Sequence, residues 1–137
     1  MPFVKLEISR NLFDEQEIRS LLSRIEETVV QSLSQLDVPV KSTVTVCDTF
    51  LVGDGKDVEA LCYVTLKLFR GRPLELRQKL CEEVCALLKD HLTGRNLEVN
   101  VAVDLLEIDR ETTKVLYLIN GQESPKQPQG DECTVSH

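Results

Sequence analysis

Residues 64–70 read Val64-Thr65-Leu66-Lys67-Leu68-Phe69-Arg70, and Gly71-Arg72-Pro73 follows directly. Sixty residues upstream, Val4-Lys5-Leu6-Glu7-Ile8-Ser9-Arg10 carries the same alternation. Apolar residues at every second position mark a strand with one buried face. In the upstream copy Val4, Leu6 and Ile8 share one side, and Phe3, Lys5 and Glu7 share the other. Each strand leads into an apolar stripe with three- and four-residue steps. The first stripe is Ile18, Leu21, Leu22, Ile25, Val29, Leu33 and Leu36; the second is Leu76, Leu80, Val84, Leu87, Leu88 and His91. Such spacing lines one face of a helix. Asp14, Glu15 and Glu17 occupy the first turn of the first helix, where the helix dipole favours negative charge. Pro73 suits the first turn of the second, where its missing N–H is not needed. Pro39 ends the connection out of the first helix, and Thr93-Gly94 stops the second. Val40 to Phe50 is β-like, Gly53-Asp54-Gly55 signals a turn, and Leu97, Val99, Val101, Val103 and Leu105 alternate as a last long strand.

The order is therefore β-α-β followed by β-α-β, a duplicated unit. Each unit predicts a right-handed crossover and a parallel strand pair. Two units give an α+β domain of α/β-like character: a four-stranded sheet with two helices on one face. We expect this domain over residues 1–121. The other sheet face has no cover within the chain. It is expected to carry Phe3, Tyr63, Thr65, Val44 or its neighbours, and part of the last strand. Parallel pairs usually have both faces covered, so the bare face argues for an oligomer. From Gln122 the chain is nearly devoid of apolar residues and cannot repay its ordering entropy, so 122–137 reads as a disordered tail. Lys114 to Asn120 is apolar enough to pack elsewhere, for instance on a neighbouring subunit.

The composition excludes several classes of function. The 137 residues make one domain, and 42% hydrophobic content without Trp implies an aliphatic core. A net charge of −7 and the lack of a basic stripe argue against nucleic acid. No apolar run approaches the ~20 residues that span a bilayer. The N-terminus has no basic and apolar leader, so the expected address is cytoplasmic. Five cysteines without C-x-x-C spacing fit that address. Cys81 and Cys85 would share a helix face with His91 further along. A site there lacks a second close ligand pair, so we read no metal and take the cysteines as small buried hydrophobes.

Pro2 is the first candidate for chemistry. A Met-Pro start normally loses its methionine, leaving a secondary amine with a free lone pair. A free α-amino group titrates near ~7.7–8.0, and desolvation or nearby cations lower it. Such an amine can take a proton from one atom and return it to another, as in a 1,3- or 1,5-shift. Arg70, Arg72 and Lys41 are candidates for gripping an anion. Arg72 lies at a Gly-Arg-Pro break by a helix start, and its planar fork matches a carboxylate. Pro2 begins its own strand, so an arginine from a strand end must reach it across the sheet or across a subunit boundary. His91 reads as a capping or packing residue, and Asp48 and Asp54 as turn residues. No Ser–His–Asp order, phosphate loop or zinc spacing appears.

These residues together resemble the 5-carboxymethyl-2-hydroxymuconate isomerase family of the tautomerase superfamily. The matching pieces are Met1-Pro2 before a strand, Asp48-Thr49-Phe50, Gly53-Asp54-Gly55, and Val64-Thr65-Leu66-Lys67-Leu68. They continue through Gly71-Arg72, Glu75 with Arg77, His91-Leu92, Arg95-Asn96-Leu97 and Leu106-Glu107-Ile108-Asp109, covering about residues 1–110. The resemblance implies a homotrimer with active sites at subunit interfaces and no cofactor. It implies Pro2 as catalytic base and Arg72 as substrate-binding arginine, acting on a small anionic organic acid. A second family arginine falls on Lys41, which keeps the charge and loses the fork. The aromatic after Asp-Thr is Phe50, where the family favours a larger ring. Residues 114–137 do not match the family ending. The expected activity is a proton shift on an unsaturated 2-hydroxy or 2-oxo (di)carboxylic acid. The alternative is a non-catalytic trimeric scaffold or small-ligand-binding protein of the same fold.

Overall fold

A computed structural model describes residues 2–33, 39–57 and 59–124. Its main elements are β1 (Phe3–Ser9), α1 (Glu15–Ser32), β2 (Lys41–Cys47), β3 (Glu59–Phe69), α2 (Leu74–Leu92) and β4 (Glu98–Ile108). A short 3-10 turn (Arg110–Thr112) and a small hairpin of β5 (Leu118–Ile119) and β6 (Gln122–Glu123) follow. The sheet order is β2-β1-β3-β4. The two outer pairs are parallel, as the duplicated unit requires, and the central β1–β3 pair is antiparallel.

Both helices lie on one face of the sheet. Val4, Leu6 and Ile8 of β1 and Val64, Leu66 and Leu68 of β3 are buried there against Leu21, Ile25, Val29, Leu80, Val84 and Leu88. Each such side chain contributes about 1.5–3 kcal/mol by leaving water, which holds the helices on the sheet. Asp14 caps α1 through a capping box with Glu17. Pro73 sits one step earlier than expected. It is the N-cap of α2, with ψ 151°, and the helix starts at Leu74. Leu36 lies outside the described residues.

At β2 the sequence left Val44 or its neighbours for the open face, and the neighbours take it. Val44 stands opposite Leu6 and packs against the core, so it faces the helices. Its neighbours Thr43 and Thr45 are exposed, as are Lys41 and Val46. Phe3, Tyr63 and Thr65 do alternate with core residues. Tyr63 donates its hydroxyl to Asp104 Oδ2 at 2.8 Å across the β3–β4 pair. Gln122 and Glu123, assigned by sequence to the tail, pair with Leu118 and Ile119; residues 125–137 lie outside the described residues. Among the described residues no helix is long and apolar enough to cross a membrane.

Candidate active site

Strand direction decides which side chains meet. β2 runs parallel to β1, so Lys41 begins at the same end as Pro2. The Lys41 N–H donates to the Pro2 carbonyl at 3.2 Å. β3 runs antiparallel to β1, with Phe3 opposite Lys67, so Phe69 returns to the Pro2 end. β4 ends there too, with Ile108 opposite Phe69. Pro2, Lys41, Arg70 and Arg72 thus belong to one end of one sheet within a single chain. The antiparallel centre supplies what a strand-end arginine needed in order to approach a strand-start proline.

Their environments differ. Pro2 is buried and Lys41 is exposed. Arg72 is only 3% exposed. Before it, Gly71 has φ 133°, a conformation that side chains resist and glycine tolerates, and the chain turns there out of the strand. Arg70 is anchored through its N–H to the Ile108 carbonyl at 2.9 Å. Its Nε donates to Asp109 Oδ1 at 2.8 Å, and its Nη1 lies 3.5 Å from Glu107 Oε1. The Asp109 hydrogen bond, then the charges of Asp109 and Glu107, raise the Arg70 pKa further above its ordinary range. Arg70 therefore stays charged with its fork engaged by those two carboxylates.

The 5-carboxymethyl-2-hydroxymuconate isomerase family model matches residues 2–117. The chain belongs to that isomerase family. The 5-carboxymethyl-2-hydroxymuconate Delta-isomerase of Escherichia coli is 31% identical over 94 residues, which span 69% of this chain and 75% of the relative. Among solved structures, a 5-carboxymethyl-2-hydroxymuconate isomerase from Deinococcus radiodurans R1 matches with TM-score 0.68 at 18% identity, over 82% of this chain and 87% of that one. A fused 4-OT symmetric trimer matches with TM-score 0.63 at 22% identity, over 89% and 95% of the two chains. At those identities the two structures speak for the tautomerase fold, and the family match makes the chain an isomerase.

The far end of the isomerase sheet holds the remaining candidates. Phe50 follows the carboxyl end of β2, the end opposite Pro2. With Asn11, Val52, Gly55, Lys56, Asp57 and Glu59 it lines a cavity of about 290 Å³. Asp48 pairs with Arg10, and Asp54 lies 4.0 Å from Lys56, so both act locally around the turn. His91 lies in the last turn of α2, with Nδ1 3.2 Å from the Leu87 carbonyl and 3.5 Å from Arg24 Nη1. It belongs to helix packing and not to the Pro2 end. Of the described cysteines only Cys62 is buried; Cys47 and Cys81 are half-buried and Cys85 is exposed. Burial pushes the Cys62 thiol up to about 12.

In the isomerase sequence Glu107, Asp109 and Arg77 stand only as pieces of the family resemblance, with no role assigned to them. One signal was there to find. The series Val99, Val101, Val103, Leu105 continues to position 107 on the helix-facing side, and a carboxylate stands there opposite Leu68. A charged group on a core-facing register needs a partner, and the two arginines provide it.

Proposed function

We propose that the mature chain begins at Pro2 and that its secondary amine is the general base of a cofactor-free tautomerase. While Met1 is attached, the Pro2 nitrogen is an amide and no base. Its removal frees the lone pair at the head of β1. Burial and the nearby cations Lys41, Arg70 and Arg72 all disfavour the ammonium form, which moves the amine below its ~7.7–8.0 reference toward neutrality. The amine then takes a proton from one position of an unsaturated 2-hydroxy or 2-oxo (di)carboxylic acid. The resulting prolinium returns it to another.

Arg72 grips a substrate carboxylate by two hydrogen bonds, and Lys41 assists as a point charge. Arg70 borders the site as a further substrate-binding candidate, held in place by Asp109 and Glu107, which offset much of its charge. Phe50 lies at the wrong end of the sheet to reach its own Pro2, so it serves the site of a neighbouring subunit. The molecule is accordingly a cytoplasmic homotrimer with sites at subunit boundaries. The observation that carries the reading is the antiparallel β1–β3 pair, which brings Arg70 and Arg72 to the end where Pro2 and, through the parallel β1–β2 pair, Lys41 begin their strands. Isomerase family membership and the trimeric state of the fused 4-OT neighbour support it.

The test is an ultraviolet ketonisation assay on a panel of enol acids, run beside Pro2→Ala, with intact mass spectrometry of the purified protein. We expect a mass lacking Met1 and turnover that Pro2→Ala abolishes. A retained Met1, or activity untouched by Pro2→Ala, sinks the mechanism. A processed chain that turns over no enol acid returns the scaffold or ligand-binding alternative.

A further inference from the structure

Glu107 is the point at which β4 breaks its apolar series. It stands opposite Leu68 with a side chain only 17% exposed. Its Oε1 lies 3.5 Å from Arg70 Nη1 and 3.5 Å from Arg77 Nη1. Arg77 rises from the first turn of α2, and its Nε donates to the carbonyl of Arg72 at 3.2 Å. The backbone N–H of Arg77 donates to the Pro73 carbonyl at 3.2 Å, so the start of the helix and the side-chain bond fix the same peptide stretch. Gly71 is free to adopt many conformations, and Pro73 offers no N–H to hold the loop. A continuous link therefore runs from the end of β4, through Glu107 and Arg77, to the backbone of Arg72.

We propose that Arg77 is a positioning residue. It fixes the Arg72 peptide, and so the direction of the Arg72 guanidinium, while Glu107 holds Arg77 in place from β4. Arg77 acts through Arg72, so the inference rests on the reading of Arg72 as the carboxylate-binding group. A bidentate grip tolerates little misplacement, because both hydrogen bonds need the fork and the carboxylate in one plane. Loosening the peptide should weaken substrate binding without altering the proton transfer at Pro2.

The experiment is steady-state kinetics of the full chain on a dicarboxylate enol for Arg77→Met, Arg72→Ala and the double variant. Arg77→Met should raise KM about tenfold and leave kcat within about threefold, as loss of uniform binding does. In the Arg72→Ala background the same change should raise KM no further, although the backbone carbonyl that Arg77 holds is still present. A merely structural role would not vanish in that background. Additive rises in KM overturn the proposal. So does an unchanged KM in Arg77→Met where Arg72→Ala raises it. Should Arg77→Met fail to fold, Arg77→Lys and Glu107→Gln carry the same comparison, each with a smaller expected rise. Arg72→Ala kinetics identical to the parent would instead overturn the reading of Arg72 itself, and the role of Arg77 with it.

Discussion

Arg72 and Lys41 arrive at the Pro2 end by different routes, and the difference sets what substitution does. Arg72 is held within the fold after the Gly71 turn, whereas Lys41 reaches out from the first residue of an edge strand. A hydrogen bond to a charged partner contributes about 1.5–3 kcal/mol. Arg72→Ala should therefore lower kcat/KM for an acidic enol by at least about tenfold. Lys41→Arg restores a planar fork at the strand edge, so turnover of a dicarboxylate enol should improve. Parallel kinetics of the two variants decide the matter; unchanged activity in both would place neither residue in the site. The chain's charge of −7 does not oppose an anionic substrate. Exposed charges beyond about 8 Å are largely screened at physiological salt, so the local arginines and lysine set the field.

Among the elements, α1 carries the clearest electrostatic device. Its N-cap Asp14 and Glu17 satisfy each other's backbone N–H groups, and Arg95 pairs with Glu17 from beyond α2. The Arg95 hydrogen bond, then the backbone bond from Asp14, hold the Glu17 carboxyl below its ordinary 4.5. A depressed folded value means that the stabilisation is complete above the unfolded value and is lost as pH falls through the folded one. Glu17→Gln should lower Tm near neutrality, and the gap to the parent should close as pH falls below about 4.5. Thermal melts across an acid series check this; a gap that stays constant with pH would remove the ion pair from the account. Both partners are partly exposed, so the effect is modest. The β-α-β unit that this helix belongs to, and its repeat, were legible from apolar spacing alone. Pro73 was legible as a helix start, but its place one residue earlier follows from an extended ψ that spacing does not report.

Among the described residues, one face of the sheet is left without a covering layer. Tyr63 and Leu106 are exposed on it, and Leu116, Tyr117, Leu118 and Ile119 stand exposed in the segment beyond β4. We expect a trimer in solution that buries this surface. Multi-angle light scattering at micromolar protein should return three times the chain mass. A stable monomer would leave Phe50 without any site to serve.

The four long strands, the two helices and, outside β2, the face that each buries were determined by the sequence itself. Alternation and helical stripes act between residues a few positions apart, so burial on one side can be read locally. Pro2, Arg72 and Lys41 were legible for the same reason, because each stands at the end of such a pattern. What the tertiary structure decided is every relation between distant segments. It alone made β1 and β3 antiparallel, which brings Arg72 to the end of the sheet where Pro2 and Lys41 stand. It alone turned Val44 toward the helices and put Phe50 at the far end. It also joined Glu107 and Arg77 to the backbone of Arg72, across three elements. A periodic pattern states which face seeks cover; which partner supplies it depends on backbone pairing and packing summed over the whole chain.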